Sequence, residues 1–165
     1  AADGAGVFEV KVKVINHTGH RLPSGFSNGQ RMWVALTVSD GAAVVYRSGH
    51  YDEASARLFT DPLSPDLNRS LSNVIDGTGR NAVMIYERLT GTCDETACTP
   101  SFNPLNPFIL FDNRIPPLGF TYADYRQAGV KFWNYDPAAF VPYEDSGRYP
   151  DGRNWDEITY RFTVD

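Results

Sequence analysis

The sequence predicts an all-β protein, an antiparallel two-sheet sandwich of immunoglobulin-like type with long Pro-rich loops. Three observations carry that expectation. Apolar and polar residues alternate at period two in several segments, while helical spacing is scarce. The 14 glycines and 11 prolines supply many turns. The 165 residues, 42% apolar and only 21% charged, suit one packed domain over residues 1–165, a size that buries roughly two thirds of its unfolded surface.

The first element is "VFEVKVKVI", where Phe8, Val10, Val12 and Val14 alternate with Glu9, Lys11 and Lys13 to give a strand with one dry and one wet face. "RMWVALTVSDGAAVVYRSG" reads as a strand, an Asp40-Gly41 turn, and a second strand through Val44 to Tyr46, hence a hairpin. "NAVMIYERL" is a further strand, and "DEITYRFTV" closes the chain by alternating Ile158, Tyr160, Phe162 and Val164. The first and last strands are expected to share a sheet, or at least a sandwich. Between these elements run "TDPLSPDLNRSLSNVIDGTG", "TPSFNPLNPFILFDNRIPPLGF" and "KFWNYDPAAFVPYEDSGRYPDGRNW", too rich in proline for helix interiors or central strands. Loops of that length in a compact domain are usually functional or partner-binding.

Charge and pattern exclude several classes of function. A net charge of −5 with no basic run does not suit nucleic-acid binding, which draws its affinity from clustered Lys and Arg. No apolar stretch approaches the ~18 residues of a membrane helix. The sequence opens on no charged and apolar leader, as a mature or excised chain would. No G-x-S-x-G elbow, H-E-x-x-H helix or phosphate-binding glycine loop occurs. Asp112, Glu144 and Asp145 supply carboxylates for a glycosidase pair, but linear spacing does not give their separation. A non-catalytic protein is therefore expected.

Cys93 and Cys98, the only cysteines, sit in "GTCDETACTP". A C-x4-C pair in a Gly- and Pro-bounded loop, without further Cys or His for tetrahedral zinc, is expected to form a small disulfide, with free buried thiols or a redox pair as alternatives. A disulfide would place the protein outside the reducing cytosol.

Two of the three histidines, His17 and His20, fall in "VINHTGHRLPSGF". His20 stands between Gly19 and the rigid turn set by Pro23 and Gly25, so its ring is presented from a strand end on a fixed loop. A neutral imidazole held this way suits haem iron, copper or zinc, or it is a hydrogen-bonded turn residue without a ligand. His17, inside an N-x-T sequon, is a supporting or alternative ligand, and so is His50 if the fold brings it near. Asp112, Asn113 and Arg114 precede Pro116-Pro117; Arg114 either forks onto a neighbour's carboxylate or propionate, making a partner-contact loop, or closes an internal clasp with Asp112. Trp33, Trp133 and Trp155, with the tyrosines from Tyr135 to Tyr149, supply packing or an aromatic contact surface.

The run "VKVINHTGHRLPSGFSNGQRMWVALTVSDGAAVVYRSG", followed by "AVMIYER", "DNRIPPLGF" and "DEITYRFTVD", resembles the non-haem β-domain found towards the C-terminal end of some multihaem c-type cytochromes. The likeness rests on an N-x-T-G-H-x-x-P-[ST]-G turn ahead of an R-x-W strand, and it spans most of the chain. It implies an extracytoplasmic electron-transfer setting, either periplasmic or extracellular. It also offers His20 as axial ligand to a haem c belonging to a cytochrome domain or subunit. The chain departs from such cytochromes in having no C-x-x-C-H, so no covalently bound haem is expected of it. A binding or structural module of a cytochrome assembly is one expectation; an adhesive or carbohydrate-binding sandwich without a redox role is the other.

Overall fold

A computed structural model describes residues 6–25, 29–60, 64–66, 74–76, 83–94, 97–101, 103, 105, 108–129, 148–149 and 152–164. Among these residues the elements run β1 (Gly6–Ile15), β2 (Arg31–Trp33), β3 (Leu36–Asp40), β4 (Ala43–Asp52), β5 (Arg57–Thr60), β6 (Ser64–Asp66), β7 (Val74–Asp76), β8 (Ile85–Cys93), β9 (Cys98–Pro100), β10 (Phe108–Asp112), α1 (Tyr122–Gln127) and β11 (Trp155–Val164). Among the described residues the protein is all-β apart from one short helix. Two compact units form, one from Ala1–Val14, Trp33–Ile85 and Glu157–Asp165, the other from Ile15–Met32 and Tyr86–Asp156.

The first unit stacks two sheets. One has the order β1-β11-β7, so the first and last strands of the chain are neighbours, as their alternation predicts; β11 pairs β7 in parallel, Tyr160 opposite Ile75. The other, β3-β4-β5-β6, is antiparallel throughout. Its β3–β4 hairpin turns at Gly41, whose φ of +57° suits a two-residue turn with Asp40 opposite Ala43. Tyr46 of β4 stacks on Phe162 of β11 at 4.4 Å between ring centroids, which brings the two sheets face to face. Ile75, Ile158, Tyr160 and Phe162 are buried in this layer with Tyr46.

The structure amends four expectations. Phe8, assigned to the dry face of β1, is 51% exposed, and its ring leans on Phe162 at the end of the stack. The strand expected over "RMWVALTVSD" breaks after Trp33, and β2 and β3 belong to different sheets. At the break Val34 N donates to Met84 O at 3.1 Å, while Val34 O lies against Gly49, a bulge residue with φ +74° that has no room for a side chain there. The Pro-rich segments contain β6, β7 and β10; β6, which holds Pro65, lies at the end of its sheet's order, where a missing N–H is tolerated. Finally, "TYADYRQ" forms α1, capped at its start by Thr121: Asp124 N donates to Thr121 Oγ1 at 3.1 Å and the Thr121 hydroxyl donates to Asp124 Oδ2 at 2.6 Å.

The second unit holds the sheet β10-β8-β2, with β9 paired to β8. Its buried apolar residues include Tyr86, Ile115, Phe120 and Tyr149. β8 and β9 form a hairpin that ends with Cys93 opposite Cys98, joined as the expected disulfide. Asp94 N donates to Ala97 O at 3.0 Å and Ala97 N to Asp94 Oδ1 at 2.9 Å, so the loop is already closed by hydrogen bonds. Reduction should therefore leave the protein folded and cost about 2 kcal/mol on the chain-entropy relation for so short a loop. Intact-mass analysis with and without reductant, paired with thermal melts, checks both halves of this expectation. Two freely alkylated thiols in unreduced protein would contradict it.

Candidate functional site

The turn that carries His20 is organised by Asn16, which is fully buried. Its backbone N donates to Asn154 O at 2.8 Å, and Asn154 Nδ2 returns a 2.8 Å bond to Asn16 O. Asn16 Nδ2 donates to His20 O at 2.7 Å and to Ile115 O at 2.9 Å, while Asn16 Oδ1 accepts from Thr18 N at 2.8 Å. Donors and acceptor of one amide are thus all engaged, and the backbone of residues 16–20 is fixed. The sequon asparagine, Asn16, is buried with its side-chain amide fully hydrogen-bonded in the fold. Two residues further on, Leu22 N donates to Ile115 O at 2.9 Å and Ile115 N donates back to Leu22 O at 3.0 Å, tying the turn to the loop after β10. The Leu22–Pro23 peptide is cis and Gly25 has φ +89°, forming the bend expected from Pro23 and Gly25.

On this frame the His20 side chain is exposed, and so is that of His17 on the same turn. His50 is also exposed, but it lies within β4 of the first unit, opposite Phe59. Among the described residues no group of three or more His, Cys, Asp or Glu is placed to hold a metal ion.

His20, Arg21, Ser24, Gly25 and Arg114 line an open cleft of about 470 Å³. Arg114 forks onto Asp112, with Nε donating to Oδ1 at 2.9 Å and Nη2 to Oδ2 at 2.7 Å, so the internal clasp is formed. Arg21 Nη1 donates to Arg114 O at 3.3 Å and lies 3.8 Å from Asp112 Oδ1, while its guanidinium sits 4.8 Å from the Phe120 ring centroid. Asn113 turns inward. Its Oδ1 accepts from Glu87 N at 2.8 Å, its N donates to Glu87 O at 3.2 Å, and its O accepts from Tyr149 Oη at 2.8 Å. Of the three residues expected in a partner-contact loop, Asp112 and Asn113 are thus spent inside the unit, and Arg114 is the one that lines the cleft.

Sequence reasoning missed a buried ionic cluster in the same unit. Asp156, with no exposed surface, accepts from Arg148 Nη2 at 2.7 Å and Tyr86 Oη at 3.0 Å through Oδ2, and from Arg153 Nη2 at 3.4 Å through Oδ1. Arg153 is held in turn, 3.9 Å from the Trp155 ring centroid and donating from Nε to Trp155 O at 2.7 Å. Glu87, 1% exposed, accepts from Arg31 Nε at 2.6 Å. The signal for Asp156 was its register: it occupies the same period-two face as Ile158 and Tyr160, and a carboxylate there must be paired. Of the carboxylates weighed for glycosidase chemistry, Asp112 is bound to arginine, and Glu144 and Asp145 lie outside the described residues.

Burial pushes the Tyr86 phenol far above its usual range, with the Asp156 charge adding to the effect, and burial does the same to Tyr160. The sign follows directly. A raised folded-state value means that both phenols stay neutral while the unfolded chain ionises, so their contribution is complete below about pH 10 and is lost as pH rises beyond it. In an alkaline titration the last tyrosinate absorbance should therefore appear together with loss of the sheet circular-dichroism signal. Complete ionisation of the tyrosines in a protein with intact sheet signal would contradict this.

Comparison with known proteins adds no relative: no family model, curated protein or solved structure matches the chain.

Proposed function

We propose that this protein is a non-catalytic binding module of an extracytoplasmic electron-transfer assembly, docking on a c-type cytochrome and lending His20 to its haem. The observation that carries this reading is the exposed His20 side chain on a turn whose backbone is locked by Asn16. A ligand mounted in that way gives up little freedom on binding. The chain's residues fit supplying one axial nitrogen, not holding a haem covalently, since its two cysteines are joined to each other and no C-x-x-C-H is present. Arg114 lines the same cleft as His20, which supports a contact with a haem propionate. The disulfide fits an oxidising compartment, and among the described residues no helix is long and apolar enough to cross a membrane.

The test is gentle isolation from the native source followed by visible spectroscopy. A Soret band that copurifies with this haem-free chain supports the reading, and its absence from material that retains other partners opposes it. A second reading, an adhesive or carbohydrate-binding protein, is favoured by one feature. Trp33 and Tyr51 are 38% and 44% exposed with ring centroids 6.0 Å apart, an aromatic pair suited to stacking on a sugar face. Retention on insoluble glycan that is lost in Trp33→Ala would favour it.

A further inference from the structure

We infer that the cleft beside His20 is an oxyanion-binding site, taking the carboxylate or phosphate group of a ligand between the guanidinium groups of Arg21 and Arg114. Among the described residues that line it are two arginines, a histidine and a serine, all able to donate hydrogen bonds, and no carboxylate. Arg114 is the central element. It is 9% exposed, yet it gives Asp112 only two of the five N–H groups that a guanidinium carries. The remaining three have no protein acceptor among the described residues. A nearly buried guanidinium with open donors on a cleft wall is what bidentate capture of an oxyanion requires.

Both cations are fixed before any ligand arrives. The Asp112 fork sets the plane of Arg114, and Phe120 and the Arg114 carbonyl hold Arg21. Ser24 and Gly25 stand at the exposed end of the cleft, where a hydroxyl and a backbone N–H complete the donor set. The open cleft, about 470 Å³, admits a charged group together with the moiety that bears it. Preorganisation of this kind reduces the entropic cost of binding.

This site goes beyond the haem-ligand reading and stands without it, because oxyanion capture needs the arginines and not ligation by His20. The experiment is titration of the full ¹⁵N-labelled chain with inorganic phosphate, acetate and chloride at constant ionic strength, followed by NMR. Phosphate or acetate should give saturable shifts at the Ser24 and Gly25 amides and at Arg114 Nε–H, and chloride should not. Saturation by phosphate alone assigns a phosphate ester; saturation by acetate assigns a carboxylate. Arg114→Lys, which keeps the charge and removes the fork, should weaken binding about tenfold or more. If that variant fails to fold because Asp112 loses its partner, the wild-type shift map still decides. Linear shifts equal to those with chloride, or none from either oxyanion, overturn the site. Oxyanion binding by a chain that ligates no haem would remove the haem reading alone.

Discussion

A chain ended at Trp155 does not fold. β11 lies between β1 and β7 in its sheet, so its removal separates both neighbours and leaves two bare edges. It also withdraws Ile158 and Tyr160, with no exposed surface, and Phe162, which is 6% exposed. Each such side chain contributes roughly 1.5–3 kcal/mol through burial, so the three together rival the ~5–15 kcal/mol that holds a whole domain. Circular dichroism and a thermal melt of the truncated chain should show neither a β-sheet spectrum nor a cooperative transition. A cooperative melt at the full-length temperature would exclude this role for the strand.

The largest single-residue effect is expected at Asp156. Changing it to Ala leaves Arg148, whose side chain is 11% exposed, without its carboxylate, and deprives Tyr86 of its acceptor. Breaking a buried pair from one side typically costs about 3–5 kcal/mol, because the surviving charge keeps its desolvation penalty. For a chain of this length that lowers Tm by roughly 10 °C. Arg161→Ala is the control. Its ion pair with Glu9 at 3.1 Å is half exposed on both sides and should contribute at most about 1 kcal/mol. Denaturant melts of the two variants should therefore differ by several-fold in lost stability, and equal losses would contradict the assignment of the cluster.

What the sequence disclosed, and what it withheld, follows from the range of the forces involved. Period-two alternation is local, so β11 and most of β1 were legible, as was the Asp40-Gly41 hairpin, whose turn chemistry is contained in two residues. Phe8 was misplaced because alternation gives the face of a residue and not whether the opposite layer reaches it. The break between β2 and β3 depends on Gly49 and Met84, distant in sequence, and leaves no mark in "RMWVALTV" itself. The helix was hidden by its length, six residues, too short for a 3.6-residue period to register, although "TYAD" carries its cap.

The candidate site divides in the same way. The Gly- and Pro-braced turn, the exposed His20 and the Asp112–Arg114 clasp all rest on near neighbours and could be anticipated. The role of Asn16, which holds His20 O and also Ile115 O, 99 residues from Asn16, could not. Nor could the meeting of Arg21 with Asp112 and Arg114, which holds the two arginines that line the cleft. Trp133 and the tyrosines from Tyr135 to Tyr143 lie outside the described residues, whereas Tyr149 and Trp155 serve as packing and as the rest for Arg148 and Arg153.

Ligation of haem iron by His20 is read by visible spectroscopy with a defined haem. The probe is a ferric c-type haem peptide that supplies one axial histidine and leaves the sixth position open. Wild-type chain should convert it from high-spin to six-coordinate low-spin; His17→Ala and His50→Ala should do the same, while His20→Ala leaves it high-spin with the fold intact by circular dichroism. A low-spin conversion by His20→Ala equal to that of wild type, or no conversion by wild type at saturating protein, would exclude His20 as the ligand.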